Sequence, residues 1–515
     1  MQIKGLCKLT QYYPRQSAQT LGGMDAKNGA SATQYAVWLT AALAALAVWR
    51  IAALYLSNTE LFFDEAQYWA WSEELDFGYY SKPPLIAWLI RGATEVCGDG
   101  EFCIRLPSPL VHTFSSILVF LLARRLFDAR TGFWSALTFA TLPGISFSAG
   151  LISTDVPLLF FWTAALFAFV LILQTRSWGA AVALGVAIGF GMLSKYAMSY
   201  FLLCAALYAV WAGEARRLAT DARLYVALLI AALVIAPNMI WNFQNQFATF
   251  AHTADNAKWS GSLFSVPSAI EFFAAQAGVF GVVLFGGLIW AAWRARGKTL
   301  APQQKLLFAF SIPVILLITA QAFVSRAHAN WAAVAYVAAS ILVVAELLAH
   351  DFKFLLRGSL ALHIAALVLV GSGNAIAGRF TLPGGVDPYE RVLGWKAIAE
   401  EADRQAISGQ FRAVAVDKRS LTAELIYYMR SGVPVVALRE DAPRDHFELS
   451  RPVTAQTPEP ILFVSFKQKT SRLTSSFQTV ELIEAKDIQA GKGQAGKGGK
   501  RRVYFFKLAG FKAKS

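Results

Sequence analysis

Charge is scarce in this chain: 33 acidic and 47 basic residues among 515, or 16% of the whole, where soluble domains carry about 25%. With 56% hydrophobic residues and a mean hydropathy of +0.45, that shortage excludes an ordinary soluble fold. Cysteine is nearly missing too. Four residues, Cys7, Cys97, Cys103 and Cys204, are too few for a disulfide-dense scaffold. No repeat of 20–50 residues is visible, which argues against a solenoid. A cleavable secretion signal is absent as well: residues 1–33 are polar and the apolar run behind them is longer than a signal core, so they read as a cytoplasmic leader.

What the chain has in abundance is long apolar runs. A spanning helix needs roughly 20 apolar residues because the bilayer core offers no water to backbone groups. About eleven spans are predicted, over 34–57, 109–127, 132–150, 156–174, 178–193, 197–213, 223–241, 269–293, 304–324, 331–349 and 358–376. The loops "RRLFDAR" (124–130), "EARRLATDAR" (214–223), "RARGK" (294–298) and "HDFKFLLRG" (350–358) are basic and fall on one side, with Lys4, Lys8, Arg15 and Lys27 of the leader. The positive-inside rule makes that side the cytoplasm. An odd span number then sends the C-terminus outside, to the periplasm of a bacterium. The net charge of +14 reads as orientation plus attraction to anionic lipid, not as a nucleic-acid surface.

The predicted organisation is a leader (1–33), a transmembrane domain (34–377) whose first external loop covers 58–108, and a soluble α/β domain (378–515). In the last, "FRAVAVD" (411–417), "PVVAL" (434–438), "PILFVSF" (460–466) and "RVYFFKL" (502–508) read as strands, and "SLTAELIYYMR" (420–430) as a helix with Ser420 as its cap. The stretch "GKGQAGKGGKRR" (491–502) approaches a phosphate-binding loop. Gly498 stands where the hydroxyl residue is needed and a strand follows, so it reads as a basic hairpin loop.

The external turns hold the residues that invite chemistry. Asp64 and Glu65 follow the first span in "LFFDEAQYWAW". Asp64 reads as the cap of a short interfacial helix, and equally as a general base near aromatics that exclude water. In "YYSKPPLIAWLI", Pro83 and Pro84 suit a first helical turn and hold Lys82 at the interface, where it snorkels or binds a lipid phosphate. Asp155 in "STDVPL" precedes a span as a cap does. Lys195 in "GMLSKYAM" breaks two spans at their external turn. Arg326 and His328 in "SRAHANW" form either a polar turn or a contact to an anionic ligand. Cys97 and Cys103 share the first loop with Gly98 and Gly100 between them, so a disulfide is expected, the alternative being two free packed thiols.

The order "DEAQY" (64–68), "KPPL" (82–85), "RLPS" (105–108), "STDVPL" (153–158) and "LSKY" (193–196) resembles the lipid-linked-sugar glycosyltransferases of the GT-C fold. Protein O-mannosyltransferases, the aminoarabinose transferase of lipid A and the rhizobial galacturonosyltransferases of lipid A and lipopolysaccharide core belong to that group. The likeness covers about residues 35–350, with "PNMIWNFQN" (237–245) and "RAHANWAAVAY" (326–336) in its later part. It implies an inner-membrane enzyme that moves a sugar, with inversion, from a polyprenyl phosphate to a periplasmic acceptor such as lipid A or lipopolysaccharide core. Asp64 matches the family's base and Asp155 its second external acid. Lys82, Lys195 and Arg326 fall to the donor phosphate, and Glu65, Tyr68 and His252 to acceptor handling or support. The aminoarabinose transferases carry an acid before "KPP" that can hold a divalent metal with a later histidine. Here that position is Ser81, so no obligate metal is expected. A transporter or flippase for a lipid-linked intermediate is the alternative reading, though the notable charges sit at span ends rather than mid-bilayer.

Overall fold

The apolar runs are helical because in lipid a backbone group finds its partner only within its own helix. The computed structural model describes residues 31–213, 215–256, 264–439, 442–468, 471–492 and 499–512. Among these, the helices long and apolar enough to cross a bilayer are Ala32–Tyr55, Glu101–Leu126, Asp155–Thr175, Ala222–Gln244, Pro302–Val324 and Lys353–Ala375. The other predicted spans are helical but either broken or short. The run at 132–150 stops at Leu142 and restarts as Pro143–Ser148, because a proline ring cannot continue the preceding helix. The run at 269–293 is two helices, Val266–Phe280 and Val282–Arg294, bent by 114° about Gly281, whose φ of 92° suits glycine. Trp178–Ser194, Tyr196–Trp211 and Ala335–Ala349 are apolar but shorter than a straight crossing.

The bent pair still reaches both ends of the bundle. Ser265 N donates to Phe323 O at one end (2.7 Å), and Trp290 packs edge-on against His350 at the other (5.2 Å).

Beyond Ala375 the chain builds a mixed sheet of order β2-β1-β3-β5-β4, from β1 (Ala413–Val416), β2 (Val435–Ala437), β3 (Ile461–Ser465), β4 (Phe477–Gln489) and β5 (Lys500–Phe511). β1 runs parallel to both β2 and β3, while β5 is antiparallel to β3 and β4. β4 is the strand the sequence reading passes over. It lies at the sheet edge, and Glu481, Glu484, Lys486 and Asp487 break up its apolar alternation. The glycine-rich stretch joins β4 to β5, and its residues 493–498 lie outside the described residues, as do residues 1–30 of the leader.

The sheet domain does not stand apart from the first external loop. Leu61, Trp71, Tyr79, Ile90 and Ile152 share one buried cluster with Trp395, Ile398, Leu421 and Leu425. Helix Arg419–Tyr428 lies against helix Phe63–Glu73, and Tyr428 Oη accepts from Leu61 N (2.9 Å). The two segments, far apart in sequence, are thus one body over one end of the bundle.

Candidate active site

The first-loop helix begins earlier than its acids suggest. It runs Phe63–Glu73 with Phe62 at the N-cap, so Asp64 is not the cap. Glu65 reaches back instead, its Oε2 accepting from Phe62 N (2.9 Å). Glu65 is also the buried half of an ion pair: Arg105 Nε donates to its Oε1 (2.9 Å) and Arg105 Nη2 to its Oε2 (2.7 Å). Ile152 N donates to the same Oε1 (2.8 Å), and Ser108 Oγ donates to Leu151 O (2.7 Å). The "DE", "RLPS" and "STD" motifs are therefore stapled together, with Glu65 and Arg105 as the structural core of the staple. Support is the part of the expectation for Glu65 that this geometry favours.

Asp64, freed from capping, points elsewhere. Its side chain is 37% exposed, and Arg419 Nη1 donates to Oδ1 (2.8 Å) and to Gln67 Oε1 (2.7 Å). Gln67 in turn donates to Ser81 Oγ (3.4 Å). The Arg419 guanidinium lies over the Phe63 ring at 4.9 Å, and Arg391 over Phe62 at 4.7 Å. Such cation–π contacts hold a guanidinium in place without neutralising it. Tyr68 is buried below, and burial followed by the Asp64 charge pushes its hydroxyl well above the ordinary range.

Asp155 is not a cap either. It opens helix Asp155–Thr175 behind Thr154, and its carboxylate takes Lys195 Nζ on Oδ1 (2.7 Å) and Asn330 Nδ2 on Oδ2 (2.6 Å). Lys195, in extended conformation at the C-cap of Trp178–Ser194, is held by this contact at the end of the bundle.

Lys82 is half-buried just before helix Leu85–Cys97, which starts one residue beyond the prolines, with Pro84 as its N-cap. Burial first, then the Lys195 charge, brings its ammonium down to about 8. Arg326 is exposed in the loop after Ile312–Val324. Its charge, with those of Lys195, Arg391 and Lys82, adds to partial burial in holding His328 below its ordinary value. The predicted cations therefore gather at one end of the bundle, joined by Arg391 and Arg419.

His252 sits on helix Ala248–Asn256, not in an open loop, its ring edge-on to Tyr80 at 5.6 Å. Among the described residues no three His, Cys, Asp or Glu side chains come together as a cation would need. Ser81 supplies a hydroxyl at the position before "KPP". No step below uses a metal.

Sequence reasoning missed Arg419, Arg391, Gln67 and Asn330. Arg419 carried a usable signal: it follows β1, and open α/β sheets place ligands at the carboxyl ends of parallel strands. Ser420, predicted as the cap of that helix, is its buried second residue, with Lys418 at the N-cap. The "PNMIW" motif acts through structure. Trp241 Nε1 donates to Asp76 Oδ2 (2.5 Å) and Asn238 Nδ2 to Phe77 O (2.7 Å), and a Cβ on Gly78 would come within 2.4 Å of the Trp241 ring. Cys97 and Cys103 are joined, with Cα atoms 5.8 Å apart.

The family model described as dolichyl-phosphate-mannose-protein mannosyltransferase matches residues 81–241. The chain is 37% identical over 422 residues to the lipid A galacturonosyltransferase RgtD of Rhizobium johnstonii, covering 81% of this chain and 88% of that protein. The chain belongs to the GT-C family of membrane glycosyltransferases. It is also similar to an undecaprenyl phosphate-alpha-4-amino-4-deoxy-L-arabinose arabinosyl transferase of Pseudomonas fluorescens, 31% identical over 176 residues, which cover 33% of this chain and 32% of that enzyme. Its fold matches ArnT from Cupriavidus metallidurans bound to undecaprenyl phosphate, with a TM-score of 0.62 at 14% identity over 91% of this chain and 98% of that one. This GT-C enzyme is thus a multi-pass membrane glycosyltransferase. Membership of an enzyme family leaves the transporter reading without an observation in its favour.

Proposed function

We propose that this glycosyltransferase moves a sugar from a polyprenyl phosphate to lipid A or a related envelope glycan on the periplasmic face of the inner membrane. The observation that carries the reading is the charge arrangement at one end of the bundle: Asp64, with Oδ1 engaged by Arg419, beside the cations Lys82, Lys195, Arg326 and Arg391. Likeness to RgtD over 88% of its length supports lipid A as the acceptor.

The chemistry follows from those charges. The donor phosphate rests against Lys82 and Lys195, the latter held by Asp155. The acceptor hydroxyl attacks C1 of the sugar from the opposite face. Its new O–C1 bond forms as the C1–O bond to phosphate breaks, the electron pair leaves on the phosphate oxygen, and C1 inverts. The hydroxyl proton passes to Asp64 Oδ2, the oxygen Arg419 leaves open. General-base help of this kind contributes about 10²–10⁴-fold, and cations at the leaving phosphate stabilise the charge that develops there.

The donor sugar is proposed to be a hexuronosyl group. Arg326 and Arg391 are exposed guanidiniums at the same end, suited to bind a sugar carboxylate, and RgtD is named for galacturonosyl transfer. The test is purified enzyme supplied in parallel with a uronosyl and a neutral-sugar polyprenyl phosphate. Preference for the neutral donor would overturn the assignment of the sugar.

Orientation rests on the basic loops and on the Cys97–Cys103 disulfide, which suits an oxidising compartment. The domain division proposed is the leader (1–33), the membrane domain (34–377) and the periplasmic α/β domain (378–515), with the first loop (58–108) packed onto the last.

A further inference from the structure

At the end of the bundle away from Asp64, a cavity of about 380 Å³ opens between helix ends. Its walls come from the start of Ala32–Tyr55, the start of Ala129–Thr141, the end of Ala335–Ala349 and the start of Lys353–Ala375. The far ends of the first and last of these helices lie by the first loop, where Asn58 N donates to Asn374 O (3.0 Å). A helix of that length rises roughly 35 Å, so the cavity and the candidate active site lie on opposite faces.

Three cations line it: Arg130, Lys353 and Arg357. Lys353 pairs with Asp351 at the rim (2.5 Å), whereas Arg130 and Arg357 have no hydrogen-bonded carboxylate among the described residues. Tyr35, Trp38 and Phe133 form an aromatic wall, Tyr35 edge-on to Trp38 at 5.5 Å and tilted against Phe133 at 5.8 Å. Trp38 is half exposed, next to the exposed Val37 at the start of an apolar span. Guanidiniums bind phosphate oxygens in pairs, and aromatics of this kind sit at headgroup level.

We propose that this cavity binds the phosphate of an anionic phospholipid headgroup, entering from the leaflet opposite the active site. Basic pockets between helix ends have the chemistry for such headgroups. The chain's own leader is an unsuitable occupant, since Lys4, Lys8, Arg15 and Lys27 outweigh Asp25.

The test is native mass spectrometry of the full chain in detergent, titrated with phosphatidylglycerol, with phosphatidylcholine, and with soluble glycerol phosphate as competitor. Phosphatidylglycerol is expected to be retained over phosphatidylcholine, and glycerol phosphate at equal concentration to displace little of it. The double variant Arg130→Gln/Arg357→Gln is expected to retain phosphatidylglycerol roughly 30-fold less well, about fivefold per cation removed, with transfer activity unchanged. If that variant does not fold, each single Arg→Gln variant carries the test at about fivefold. Equal retention of the two lipids, unchanged retention in the variants, or full displacement by glycerol phosphate would each overturn the proposal.

Discussion

At the scale of single residues, the division of labour between Asp64 and Glu65 explains why two adjacent acids stand at the membrane surface. Glu65 closes the helix start and neutralises Arg105, while Asp64 Oδ2 accepts no hydrogen bond among the described residues. Asp64→Asn keeps the size and the Arg419 contact but removes the proton acceptor. Transfer should fall by about 10²–10⁴-fold with donor binding retained, as read by steady-state rates beside a donor-binding assay; near-normal turnover would refute the base assignment. For Lys82 the sign of the pH effect follows from its lowered value. The ammonium is charged below about 8 and neutral above, so kcat/KM for the donor should decline as pH rises through 8. Bound phosphate favours the charged form, so the decline in kcat should come at higher pH. Lys82→Arg, always charged, should remove the kcat/KM limb, and a limb that persists would assign it to another group. These charges were readable in sequence because they stand at the ends of apolar runs. Arg419 carried only the signal of its place after β1; its contact with Asp64, which spans 355 positions, depends on how the α/β domain sits on the loop.

Among elements, the staple formed by Glu65 and Arg105 carries the most weight. Their side chains are 2% and 3% exposed, and removing one partner of such a buried pair leaves the other charge unpaired, at a cost of about 3–5 kcal/mol. Arg105→Met is expected to lower the thermal midpoint of the detergent-solubilised protein and to loosen the turn at Ile152. A midpoint equal to wild type would show that the pair is not needed to hold the loops. The helices themselves were legible as apolar runs, yet their ends and breaks were not. Composition alone does not say that Pro143 divides one run, that Gly281 bends another, or that Phe62 rather than Asp64 stands at the cap. Those details depend on packing between helices. β4 escaped notice for the converse reason: an edge strand half in water carries charges that hide its period of two.

For the whole molecule, the shared core of the first loop and the sheet domain means that both lie on one side of the membrane. The spans between them must therefore be even in number, which agrees with the parity inferred from the basic loops. A reporter enzyme active only in the periplasm, fused after residue 380, should be active, and activity of a cytoplasmic reporter there would reverse the proposed orientation. The order of motifs along the chain carried the family, while the placement of a C-terminal arginine on a first-loop carboxylate emerged only in three dimensions. The most direct measurement is a reconstituted reaction: purified wild-type and Asp64→Asn enzyme, a polyprenyl-phosphate uronic acid, lipid A as acceptor, and the product weighed by mass spectrometry. Wild type should add one hexuronosyl unit to lipid A, and Asp64→Asn should add almost none while still binding the donor. Equal product from the two enzymes, or donor consumed without any gain in the mass of lipid A, would contradict the central claim.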